Sequence, residues 1–319
     1  MSTHPVDAEL ASSAAALPRV DRTDVAEARR IAASRVPPRP AGDTGVTVEH
    51  HTCRGADDHA VPLRVYRPDR RTAGGVVFHV HGGGFILGDL ETSHLRNLEI
   101  AREVGATVVS VGYRLAPEWP FPVPLEDVYG GLVWIHEHAR ELGIDPSLVV
   151  LHGVSAGGAL ATASVLLARD RNGPPVRFLF LASPVLDDRL TTESGMRFTD
   201  TPALTRRDVE VCWSAYLGLV ERGADDVSAY AAPARSTDLA GLPPAYISVA
   251  EFDPLRDEAI DFARSLLAAG VGVEVHLFPG TYHGSSAVRG AAVSERQLAE
   301  EIAVLRGVVR SPEGERSDA

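Results

Sequence analysis

The 319-residue chain contains no lysine. All 31 of its basic residues are arginine, against 43 acidic ones, giving a formal net charge of −12. We read the missing lysine as a bias of composition without mechanistic content. The shortage of positive charge says more. No basic stripe stands out, which argues against nucleic acid or an anionic membrane as the partner. Cysteine is scarce as well. Cys53 and Cys212 stand apart from any C-x-x-C or Cys/His cluster, so neither a disulfide framework nor a zinc site is suggested, and a reduced, cytoplasmic setting fits. No apolar run is long enough to span a bilayer. The alanine-rich N-terminus carries Asp7 and Glu9 where a secretory signal needs basic residues, so no signal peptide is expected. Internal repeats and low-complexity tracts are missing too.

What is present has an ordinary globular balance, 45% hydrophobic and 23% charged. That suffices for a sizeable core in a single α/β domain with an added lid. Residues 1–36 read as helical, ending before "VPPRP", where proline lacks an N–H. "VTVEHHTC" and "VPLRVYRP" flank a turn-rich stretch and predict an antiparallel hairpin. From Val76, β-branched runs alternate with helical segments, the pattern of βαβ units on a parallel sheet buried on both faces. Residues 188–232 break the rhythm with a helical insertion, and strand–helix alternation resumes afterwards. The predicted division is an N-terminal cap segment at 1–45, a core from 46–187 and 233–310, a second cap segment at 188–232, and a disordered tail at 311–319.

The chemistry gathers at predicted strand ends. "LHGVSAGGAL" places Ser155 between Gly153 and Gly157, after a buried strand and before a small-residue helix. A sharp strand-to-helix turn there strains the serine backbone and lifts its hydroxyl clear of the sheet, and the helix N-terminus favours developing negative charge. A serine hydroxyl still needs a base, an acid to orient that base and an oxyanion hole. "HVHGGGF", with Gly82, Gly83 and Gly84 after His81, lets backbone N–H groups converge on one spot. "AEFDPLRDE" puts Asp253, and "FPGTYHGSS" puts His283, at later strand ends, where open α/β sheets bind ligands. Glu251, two residues before Asp253, is the competing acid.

These motifs resemble the hormone-sensitive-lipase-like esterases, bacterial family IV of the α/β-hydrolases. The resemblance rests on "HGGGF" at 81–85, "YRLAPE" at 113–118, "GVSAGG" at 153–158, "DPLRDE" at 253–258 and "YHG" at 282–284. It implies an α/β-hydrolase fold: a mostly parallel sheet with helices on both faces and a small helical cap. It implies Ser155 as nucleophile, His283 as base, Asp253 as its orienter, and the N–H groups of Gly83, Gly84 and Ala156 as oxyanion donors. His81 and Gly82 would shape the loop. The expected reaction is hydrolysis of short- to medium-chain carboxylic esters, with no cofactor and no metal. Amide or formamide hydrolysis and acyl transfer could run on the same triad. A ligand-binding receptor of this fold is the other alternative, against which His283 argues. The partner is a small-molecule ester, and a homodimer is the expected assembly.

Three positions depart from the family pattern: Gly112 and Val154 stand where it usually has aspartate, and Ser285 where phenylalanine is frequent. None belongs to the triad, so they bear on substrate and pH optimum. His79 reads as a buried strand histidine, Arg29 and Arg30 as a solvated helix face, and Trp213 and Tyr216 as packing within the cap. His50/His51 and His136/His138 lack the spacing of a metal site.

Overall fold

The computed structural model describes residues 4–40 and 42–310. The tail expected at 311–319 lies outside the described residues. Eight strands form one sheet in the order β1-β2-β4-β3-β5-β6-β7-β8. The hairpin is β1 (Val46–Arg54) with β2 (Ala60–Pro68); it is antiparallel, as is the β2–β4 pairing. All later pairings are parallel: β3 (Val76–Val80), β4 (Thr107–Val111), β5 (Val149–Val154), β6 (Phe178–Ala182), β7 (Ala245–Phe252) and β8 (Val273–Tyr282).

β-Branched runs dominate the central strands, and the side-chain period of two divides them between two cores. Val76, Phe78 and Val80 face a cluster shared with α4 (Val123–Glu137), α6 (Ala156–Asp170) and α9 (Arg256–Ala268). Val77 and Val150 face the other side, against α3 (His94–Ile100) and α10 (Ala292–Val308). Helices cover both faces, which is why β3 and β4 carry no exposed residue.

The N-terminal expectation needs correction. Instead of one helical stretch there are two helices, α1 (Ala8–Ala16) and α2 (Val25–Ser34), separated by non-helical chain around Pro18. Asp24 caps α2, its carboxylate accepting from Glu27 N. The helix of the insertion, α8 (Arg206–Leu217), opens on a Thr205/Asp208 capping box. It stops at Gly218 (φ 66°). A short α7 (Glu193–Arg197) precedes it, and a single turn of helix, α5 (Ala139–Leu142), follows α4.

Leu10 of α1 packs against Phe278 and Tyr282 of β8, while Ala28 of α2 meets Ile86, Leu87, Ala116 and Cys212. Trp213 and Tyr216 are fully buried, and Tyr216 stacks on Phe85 with ring centroids 4.0 Å apart, the packing role expected of them.

Candidate active site

Ser155 sits at the turn from β5 into α6, with φ 53° and ψ −120°. A non-glycine residue holds such angles only where its surroundings enforce them. Ser155 N donates to Ala182 O at 2.9 Å, and Ser155 O accepts from Gly158 N at 2.8 Å and Val185 N at 3.1 Å. The turn also depends on missing side chains. A Cβ on Gly157 would come 2.1 Å from Val80 O, and one on Gly153 would come 2.5 Å from Gly157 O. The small residues of "GVSAGG" therefore let helix, turn and neighbouring strand approach to backbone contact.

The three strand-end candidates converge. His283 Nε2 lies 3.0 Å from Ser155 Oγ, and His283 Nδ1 lies 2.7 Å from Asp253 Oδ2. Asp253 is buried just past the end of β7, and its Oδ1 accepts from Leu255 N at 3.0 Å. With Nδ1–H directed at that carboxylate, the Nε2 lone pair faces the serine hydroxyl, which donates to it. Glu251 lies elsewhere: its Oε2 accepts from Gly280 N at 2.7 Å, tying β7 to the irregular stretch of β8 at Gly280 (φ 72°).

The "HGGGF" loop lies opposite. Gly83, Gly84 and Phe85 run through left-handed backbone, φ 127°, 62° and 64°. A Cβ on Gly83 would come 2.1 Å from Leu87 O. Among the described residues, no hydrogen bond occupies the N–H of Gly83, Gly84 or Ala156. His81 Nδ1–H donates to Gly82 O at 2.8 Å, and its ring stacks on Tyr113 at 4.2 Å. Tyr113 Oη in turn donates to His81 O at 2.9 Å. Burial pushes the His81 imidazole below its ordinary value, which keeps it neutral.

Ser155 and His283 open into a cavity of about 1900 Å³ bounded by α1, α2, α8 and the sheet. Several of its features were not read from the sequence. Arg29 is no solvated residue. Its guanidinium donates to Ile86 O and Ala116 O at 2.9 Å each and to both Glu118 carboxylate oxygens at 2.7 Å, fastening α2 over the loop. Arg30 does face solvent, paired with Glu27. Arg22 pairs with Asp208 at 3.2 Å across the two helical segments. Cys212 packs directly on Gly84, where a Cβ would meet its sulfur at 2.3 Å, and burial pushes its thiol up to about 11. Of the departures from the family pattern, Val154 lines the cavity, whereas Gly112 is closed in by Pro62 and Leu90.

Comparison with known proteins identifies the family. Residues 77–287 match a family model described as the alpha/beta hydrolase fold. Esterase LipI of Mycobacterium tuberculosis is 41% identical over 217 residues, covering 68% of this chain and 67% of its own. Carboxylesterase NlhH of the same organism is 40% identical over 225 residues, 70% of each chain. Among solved structures, a bacterial heroin esterase superposes with a TM-score of 0.93 at 46% identity, covering 96% of this chain and 99% of its own. The chain belongs to the hormone-sensitive-lipase-like family of α/β-hydrolases, and it is a carboxylic-ester hydrolase.

Proposed function

We propose that ester hydrolysis runs through Ser155, with His283 as its base and Asp253 as the group that orients that base and stabilises its protonated form. The contact distances of 3.0 and 2.7 Å along Ser155–His283–Asp253 carry this reading. Ser155 Oγ attacks the ester carbonyl while His283 Nε2 takes its proton. The tetrahedral oxyanion is held by the N–H groups of Gly83, Gly84 and Ala156, which no other acceptor claims among the described residues. His283 returns the proton to the departing alcohol. It then deprotonates the water that releases the acid from Ser155.

In this reading residues 1–45 and 188–232 form a two-part cap over the core made by 46–187 and 233–310. Its support is the Arg22–Asp208 pair and the seam of Ala28, Ile86 and Cys212. A cap held closed by such contacts admits small esters. Each buried methylene contributes about 0.8 kcal/mol only until the pocket ends. A p-nitrophenyl acyl series from acetate to palmitate tests this: kcat/KM should peak at about four to eight carbons and fall by dodecanoate, without a rate jump at the substrate's solubility limit. A maximum at palmitate would show an open, lipase-like site. The same reading takes the enzyme as cytoplasmic, consistent with two free, buried thiols. It also takes the enzyme as a homodimer, consistent with Val275 and Leu277 exposed on the edge strand β8.

A further inference from the structure

The cavity does not end at the serine. It continues between the sheet and helices α3 and α10, where it reaches His79 and His152. These residues sit directly opposite one another on β3 and β5. The passage exists because the row nearer the strand ends is narrow: Val154, Ala182 and Ser248 lie side by side on β5, β6 and β7, and all three line the cavity. Phe180, whose ring lies 4.9 Å from that of His152, gives the compartment an apolar wall. His79 and His152 give it a polar floor, both about 1% exposed.

A chain of contacts decides what that floor presents. Arg96 of α3 pairs with Glu301 of α10 at 2.8 Å. Burial alone would raise the Glu301 carboxyl, but Arg96 and His152 overcome it and hold it down at about 2, so it is a carboxylate. Glu301 Oε1 lies 3.2 Å from His152 Nε2, off the line of a hydrogen bond, and the nearby carboxylate favours the proton on that nitrogen. In the neutral imidazole of His152, Nδ1 is then a lone pair. It lies 2.7 Å from His79 Nδ1, which must supply the hydrogen. Burial keeps the His79 imidazole neutral by lowering it well below its ordinary value. Its remaining nitrogen, Nε2, is therefore an acceptor, and that atom is buried without a partner. An unmet buried acceptor favours any ligand that brings a donor to it.

We infer that this compartment is a binding subsite in which His79 Nε2 accepts a hydrogen bond from a hydroxyl or amide N–H carried by the ester substrate at a distance from the scissile bond. The proposal rests on ester hydrolysis at Ser155. His152 stands three residues before that serine, roughly 10 Å of extended strand, so the donor belongs several carbons along the substrate chain. The acyl and the alcohol portions are both possible carriers, and the experiment separates them.

The acyl arm compares p-nitrophenyl 8-hydroxyoctanoate with the octanoate and the 8-methoxyoctanoate. The alcohol arm compares 8-hydroxyoctyl acetate with octyl acetate and 8-methoxyoctyl acetate. One arm should show kcat/KM about tenfold higher for the hydroxyl compound than for both controls, since the methoxy oxygen has no proton to offer. In His79→Phe that ratio should fall to about one, and a ratio is insensitive to the amount of folded enzyme. If the variant does not fold, the wild-type ratios still decide. No hydroxyl advantage in either arm, or an advantage that survives His79→Phe, overturns the subsite. Turnover retained in Ser155→Ala would instead remove the reaction site itself, whatever the ratios.

Discussion

Arg29→Met keeps an unbranched stem at position 29 and deletes the guanidinium that fastens α2 to the loops around the serine. Two of its bonds count fully: the 2.9 Å contacts to Ile86 O and Ala116 O, both within the partly buried seam beneath the helix. Hydrogen bonds from a charged donor contribute about 1.5 kcal/mol each at the low end, so their loss costs about 3 kcal/mol. The fork on Glu118 adds little, because that carboxylate is 54% exposed and solvent screens the pair. The apolar seam of Ala28, Ile86 and Cys212 remains, so α2 should still dock, but less firmly. At about 1.4 kcal/mol per factor of ten, the α2 amides should exchange with solvent about a hundredfold faster, while those of the central strands should not change. Hydrogen exchange read by mass spectrometry resolves the two regions. Exchange of α2 within about threefold of wild type would show that the guanidinium does not hold the helix, and the assigned cost would be wrong.

Asp253→Asn should lower kcat/KM by about 10³ to 10⁴, because the amide no longer fixes the histidine tautomer. Glu251→Gln, whose partner is Gly280 N, should lose far less, and the reverse order would exchange their roles. Glu258 provides a pH test. It is buried, its Oε1 accepts from Leu186 N at 2.7 Å, and burial pushes its carboxyl well above the ordinary 4.5. The folded state thus holds a proton that the unfolded chain gives up near 4.5, so this site's contribution to stability falls as pH rises above that value. Glu258→Gln mimics the protonated acid. Its Tm relative to wild type should climb from pH 5 to pH 8, and a constant difference would contradict the sign.

Local chemistry was legible in the sequence and distant partnership was not. "GVSAGG" announces itself because its small residues, strained serine and helix start fall within six positions, and the close approaches at Gly153 and Gly157 are the physical reason for that spacing. Strand ends carrying Asp253 and His283 could be read from alternation alone. Arg29 was misread because its acceptors lie 57 and 87 residues away, on loop carbonyls that leave no mark in composition. The His79–His152 pair was missed for a related reason. Each histidine reads as an ordinary strand residue until the parallel register of β3 and β5 sets them face to face. A helical pattern across residues 1–36 concealed the break at Pro18, since alanine-rich stretches on both sides favour helix.

Ser155 is the single nucleophile of the proposed mechanism, and covalent labelling addresses it directly. Wild-type enzyme incubated with a fluorophosphonate, digested and mapped by mass spectrometry, should carry one adduct, on Ser155, formed in proportion to the loss of esterase activity. Ser155→Ala should take no adduct and lose turnover by a factor on the order of 10⁴ to 10⁶. An adduct on another residue, or Ser155→Ala activity within about tenfold of wild type in a preparation free of other esterases, would contradict the mechanism.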